Sequence, residues 1–168
     1  SFHALRDISM HVDKGEFGQE EIAKVIETIH GAGIDVLANY IFGLPEDTQE
    51  TMQATFDLAV ALKTFWANFY CTMAYPGSAL YQEALAKGWR LPDSWLGYSQ
   101  HSAETLPLPT KALTGSQVLA FRDAAFIRYF SDPAYLARIR RRFGPAAIEH
   151  IRGFVAKGAP PRKHVPAV

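Results

Sequence analysis

Cysteine is nearly missing from this chain: Cys71 stands alone among 168 residues. A single thiol excludes an internal disulfide, and it excludes a multi-thiolate metal or iron–sulfur site built from these residues by themselves. Net charge is missing as well. Formal charge is zero and the pI is about 7.0, so the total points to neither nucleic acid nor a membrane surface. No run of about 18 apolar residues occurs, so no helical membrane span is expected. The opening SFHALRDISMHVDKGE carries charges but no continuous apolar stretch, so it does not read as a signal peptide. The chain starts without Met, and a cytoplasmic fragment is the simplest account. Of His3, His11, His30, His101, His150 and His164, no two share the spacing of a helical metal pair, and no metal site is expected.

The charge that is there is unevenly spread. Residues 1–110 hold 6 Lys and Arg against 14 Asp and Glu, whereas residues 111–168 hold 11 against 3. Arg138, Arg140, Arg141, Arg142 and Arg152 supply much of the basic half. Such a cluster can bind nucleic acid or dock an acidic partner. No aromatic residues interleave with it, which favours a solvated face that pairs with the acidic half.

Hydrophobic periodicity outlines a β/α unit. Ile22, Val25, Ile26 and Ile29 make one stripe of a helix over Phe17–Ala32, with Glu20 and Glu21 in its first turn and Gly31 and Gly33 as the stop. The near-continuous apolar run that follows predicts a strand over Asp35–Phe42, buried on both faces. Asp47 with Glu50 is an N-cap pattern and Thr48 a rival cap, opening a helix that runs to about Lys63. A second strand is expected over Ala67–Met73, where Ala67, Phe69, Cys71 and Met73 alternate with Asn68, Tyr70 and Thr72. A helical crossover is the natural connection, so the strands should be parallel and adjacent. Tyr75-Pro76-Gly77-Ser78 then turns into a short helix, Ala79–Lys87, closed by Gly88.

Trp89–Gly115 has no clear period and should be functional or wrap the core. Three helices are expected after it: Ser116–Phe130, Pro133–Phe143 and Pro145–Lys157, the last two with cap-then-proline starts. The tail APPRKHVPAV reads as disordered. The organisation expected is therefore 1–88 as a barrel segment, 89–115 as an aromatic and proline-rich loop, 116–158 as a helical extension and 159–168 as tail.

The one site-like pattern is Asn39-x-Ile41-x-Gly43-x-x-Glu46, at the C-terminal end of the first strand. Gly43 would let backbone approach a flat ligand, Ile41 would offer an apolar surface to a ring such as adenine, and Glu46 could accept from loop amides. Among single residues, Cys71 alternates with Phe69 and Met73 and reads as core. Tyr70 and Tyr75 could face a barrel lumen, and His101 lies in the aromatic loop beside Tyr98 and Gln100.

Taken whole, this pattern resembles the fifth-strand motif G-x-I-x-G-x-x-E of the radical S-adenosylmethionine superfamily. It matches at Ile41, Gly43 and Glu46 and departs at Asn39, where the family usually has Gly. Met73-Ala74-Tyr75-Pro76-Gly77-Ser78-Ala79-Leu80-Tyr81 is similar to the sixth-strand segment with its YPGT-x-LY continuation. Asp13-Lys14-Gly15 resembles the NKG spacer after the fourth strand. The resemblance covers roughly residues 8–90. It implies the C-terminal part of a partial (β/α)6 TIM-like barrel, within the α/β class. The segment Trp89–Thr110 with its helices resembles the extension of members that carry an N-terminal cobalamin-binding domain.

In that family a CxxxCxxC loop holds a four-iron four-sulfur cluster, which reduces S-adenosylmethionine to a 5′-deoxyadenosyl radical. The resemblance implies that Asn39, Ile41, Gly43 and Glu46 line the cofactor site and that backbone near Met73 and Tyr75 meets the adenine edge. This chain has no CxxxCxxC and no Gly-Gly-Glu motif, and so should be inactive alone. Its expected partners are the N-terminal half of the same enzyme and a small-molecule substrate. Nucleic acid is not expected. The alternative, from another class, is a non-catalytic α/β binding module whose basic helices engage a protein or RNA.

Overall fold

The computed structural model describes residues 19–163, with side chains from residue 21 onward. The Asp13-Lys14-Gly15 spacer, the expected helix start at Phe17 and the tail from His164 lie outside the described residues. The elements in order are helix α1 (Gln19–Gly31), strand β1 (Leu37–Phe42), helix α2 (Gln49–Leu62), strand β2 (Trp66–Cys71), helix α3 (Ala79–Ala86) and a single turn α4 (Trp95–Tyr98). Three helices follow: α5 (Gly115–Ser131), α6 (Pro133–Phe143) and α7 (Pro145–Lys157).

The fold is α/β, with a two-stranded parallel sheet and flanking helices. β1 and β2 run side by side in one direction, as the crossover required, in register from Leu37 opposite Trp66 to Phe42 opposite Cys71. Both strands are shorter than the apolar runs suggested: β1 starts at Leu37 rather than Asp35, and β2 ends at Cys71 rather than Met73.

The expectation of burial on both faces is corrected. Tyr40, Phe42, Ala67, Phe69 and Cys71 are buried, whereas Leu37 and Ile41 are exposed on the opposite face. A strand turns alternate side chains to opposite faces, and α2 and α5 cover only one. On that face Phe69 is the hub of an aromatic cluster, with ring centroids 5.5 Å from Tyr40, 5.7 Å from Phe42, 6.1 Å from Phe56 and 5.6 Å from Tyr129. Such pairs add to the hydrophobic stabilisation of burial.

Helix starts follow local chemistry. For α2 the cap is Thr48, not Asp47: its Oγ1 accepts from the Thr51 N–H at 3.3 Å, and Thr51 Oγ1 accepts from the Thr48 N–H at 3.0 Å. The partner in this capping box is thus Thr51, where the sequence pattern pointed to Glu50. Asp132 caps α6 by accepting from the Tyr135 N–H at 2.7 Å, with Pro133 in the first turn. Tyr135, Ile139, Ile148 and Ile151 carry α6 and α7 onto the core. By contrast, Val25 of α1 is 54% exposed, so the stripe of that helix is not closed.

Candidate functional site

The loop after β1 is built around a buried carboxylate. Gly43 has φ +81°, and its N–H donates to Asp47 Oδ2 at 2.8 Å, as does the N–H of Leu44 at 2.9 Å. Thr51 donates its hydroxyl to Asp47 Oδ1 at 2.6 Å. Asp47 is 2% exposed, and these three donors satisfy a charge that burial would otherwise penalise. The role foreseen for Glu46, receiving loop amides, therefore belongs to Asp47. Glu46 instead pairs with Lys111 at 2.6 Å on the surface.

Residues 105–115 form a strap across the same rim. The Leu108 N–H donates to the Thr72 carbonyl at 3.4 Å, just past β2. Thr110 donates its hydroxyl to the Asp47 carbonyl at 2.8 Å, and the Lys111 N–H donates to the Pro45 carbonyl at 2.9 Å. The part of Trp89–Gly115 that lacked a period thus ties the two strand ends together. The close approach at Gly43 is made by the protein itself, because a Cβ there would lie 2.5 Å from Val118 Cγ1. The glycine admits helix α5, which accounts for its place in the turn without a ligand.

The other residues read from the motif fall into two groups. Asn39 and Ile41 share the open face with Asn68 and Tyr70, their register partners on β2. Asn68 donates its amide to Asn39 Oδ1 at 2.9 Å and accepts from Trp66 Nε1 at 3.0 Å. Ile41, 42% exposed, stands past this ladder toward the strap. Met73 lies apart from them, buried in the core. Tyr75 is 47% exposed, its ring stacked on Tyr98 at 6.0 Å and its hydroxyl donating to the Tyr98 carbonyl at 3.4 Å.

Along the outer edge of β2, Gln100 acts as a one-residue strand. Its side-chain oxygen accepts from the Cys71 N–H at 2.9 Å, and its amide donates to the Cys71 carbonyl at 2.9 Å. Arg122 donates to the Gln100 carbonyl at 2.7 Å and fixes that loop. Cys71 is core, as expected, and burial pushes its thiol up to about 12 in spite of Arg122 nearby. Burial first, and then Arg122 and Arg162, hold His101 below the usual histidine value. No period marked Gln100. Arg122 was missed as well, although its place on the apolar stripe Val118, Arg122, Ala125, Tyr129 of α5 is a signal that could have found it.

The tail residues 159–163 are placed: Arg162 pairs with Asp123 through two contacts of 2.9 Å, and the Lys163 N–H donates to the Ala103 carbonyl at 2.9 Å. The basic cluster is dispersed. Arg138 donates to the Thr64 carbonyl at 3.1 Å, and Arg142 pairs with Asp35 of the acidic half at 3.3 Å. Arg140, Arg141 and Arg152 are exposed. A cavity of about 440 Å³ lies at the opposite end of the strands, among Ile34, Phe65, Arg138 and Arg142. Among the described residues no group of three or more His, Cys, Asp or Glu is placed to hold a metal ion, and no helix is long and apolar enough to cross a membrane.

No protein-family model matches the chain. It is similar to an uncharacterized methyltransferase of Pyrococcus horikoshii, with 27% identity over 148 residues. The match covers 88% of this chain and 30% of that protein, so the chain spans just under a third of its relative's length.

Proposed function

We propose that this chain is one part of an S-adenosylmethionine-dependent methyltransferase of the radical S-adenosylmethionine kind, in which β1, β2 and the loops past them form the adenine-side wall. The observation that carries this reading is the open face of the sheet. Ile41 and Tyr70 stand side by side on it, next to the Asn39–Asn68 amide ladder. A flat heteroaromatic ring needs an apolar ledge with amide groups at its edge, and these residues supply both. The relative's name, an uncharacterized methyltransferase, supports a methyl-transfer reading, and the radical S-adenosylmethionine kind rests on the resemblance of the motif by itself.

When bound, S-adenosylmethionine supplies the methyl group that such an enzyme transfers. Ile41 and Tyr70 pack against the adenine ring, and Asn39 orients its polar edge. Asp47 keeps the turn after β1 in one conformation, and the strap ties that turn to the end of β2. For a four-iron cluster the residues of this chain do not fit: Cys71 is buried among the helices and offers no ligand. The cluster, and cobalamin by the resemblance of the 89–115 segment, would be held by other parts of the enzyme. Among the described residues β1 has one unpaired edge and the sheet one uncovered face, and in a TIM-like barrel both would take further strands as neighbours.

Equilibrium dialysis of S-adenosylmethionine against the chain in its natural full length tests the reading. Saturable binding is expected, and Ile41→Asp should weaken it about tenfold or more, because it sets an unpaired charge against the ring. The thermal midpoint should hardly move, since Ile41 is already exposed. Binding equal in wild type and Ile41→Asp, or no binding, would overturn the proposal. Salt-dependent retention on RNA without cofactor affinity would favour the basic binding module.

A further inference from the structure

A second cavity, of about 230 Å³, lies at the outer edge of β2, between α5, the loop at 100–105 and the last described residues. Its electrostatics are unbalanced. Arg122 and Arg162 have side chains only 5% and 7% exposed, and both turn to one carboxylate, Asp123. Arg162 takes both oxygens of Asp123 at 2.9 Å, and its Nη1 donates to the Ser102 carbonyl at 2.6 Å. Arg122 Nε is left 3.1 Å from Asp123 Oδ1, but without hydrogen-bond geometry, a buried donor with no partner. Lys157 brings a further cation to the lining, whereas Phe126 and Phe154 make it apolar on one side.

Two buried guanidiniums sharing one carboxylate leave a positive excess on the inner wall of the cavity. Such an excess is costly unless an anion offsets it, and a planar guanidinium matches an oxyanion in geometry as well as charge. The volume admits one ring-sized body and one charged group, with the rings of Phe126 and Phe154 beside it.

We propose that this cavity binds a small organic anion, a carboxylate or phosphate monoester carried on a flat apolar body. The charged group is held by Arg122 and Lys157 and the body lies against Phe154. Arg162 and Asp123 close the site from the C-terminal side, so ligand binding and the placement of residues 158–162 reinforce each other. Asn68 and Tyr70 also line this cavity, so it adjoins the Ile41 ledge, but its ligand is argued from Arg122, Arg162 and Lys157 and not from the cofactor reading.

Calorimetric titration of the natural full-length chain tests the proposal with three ligands: phenyl phosphate, benzoate and uncharged phenol. One saturable site is expected for phenyl phosphate, benzoate or both, the better one identifying the charged group, and none for phenol. Lys157→Gln, at an exposed position, should weaken binding about two- to fivefold, the size of a partly exposed charge contact. Arg122→Met should weaken it more than about a hundredfold, as expected for a buried charge contact. Phe154→Ala keeps the test open should Arg122→Met not fold, and weaker binding of phenyl phosphate is expected there with inorganic phosphate unaffected. No saturable binding, binding indifferent to Lys157→Gln and Phe154→Ala, or inorganic phosphate bound as tightly as phenyl phosphate would each overturn it.

Discussion

Val118 occupies the space that a side chain at Gly43 would need, with its Cγ1 2.5 Å from the position of an added Cβ. The turn after β1 and the first turn of α5 are thus packed backbone to side chain. Gly43→Ala meets this contact and a left-handed φ together, and should cost about 2–4 kcal/mol in urea unfolding. Adding Val118→Ala should recover the steric part but not the conformational part. A double-mutant cycle without coupling between the two sites would contradict this packing.

Asp47 and Glu46 are adjacent carboxylates with unequal consequences. Asp47→Ala strands the backbone N–H groups of Gly43 and Leu44 and removes the Thr51 hydroxyl's shorter acceptor, and should cost about 2–4 kcal/mol. Glu46→Gln breaks only a surface pair with Lys111 and should cost less than about 0.5 kcal/mol, a difference that vanishes at high salt. Thermal melts of the two variants side by side measure the contrast, and equal losses would speak against Asp47 as the hub.

Gln100→Ala leaves both backbone groups of Cys71 unpaired at the sheet edge. A loss of about 1–2 kcal/mol is expected, with faster hydrogen exchange at the Cys71 amide than at Thr72, whose N–H donates to the Phe42 carbonyl at 2.8 Å. Unchanged protection at Cys71 would show that another group covers the edge.

The Cys71 thiol is raised by burial from its ordinary value of 9.0 to about 12. Native protein should therefore react with iodoacetamide at pH 8 far more slowly than protein in denaturant. Unfolding frees the thiol to ionise at its ordinary value, so stability should fall as pH rises from about 9 toward 12, and be unaffected by this group at lower pH. Native and denatured rates that coincide would place the thiol at the surface.

Much of the fold was legible because it depends on neighbours in the chain. The bounds of α6 and α7 follow from Asp132-Pro133 and Gly144-Pro145, where proline presets the first helical turn. The parallel pairing of β1 and β2 follows from the length of the connection between them. What was missed depends on residues distant in sequence. Glu46 and Asp47 look alike in the motif. Asp47 turns its carboxylate inward to Gly43, Leu44 and Thr51, and Thr110, 63 residues further on, closes over its backbone carbonyl. Gln100 completes the edge at Cys71 from a loop with no periodic signal.

By itself, then, the amino-acid order determined the succession of helices and strands, the inward residues of β2 and the single core thiol. Local sterics, capping and the period of side chains act over a few residues and leave a trace in the order. Only the tertiary structure decided that Gly43 admits Val118, that one face of the sheet stays open, and that Arg122 and Arg162 meet over Asp123. Those outcomes arise from close packing and charge pairing between segments tens of residues apart, and such contacts take their form only when the chain has folded.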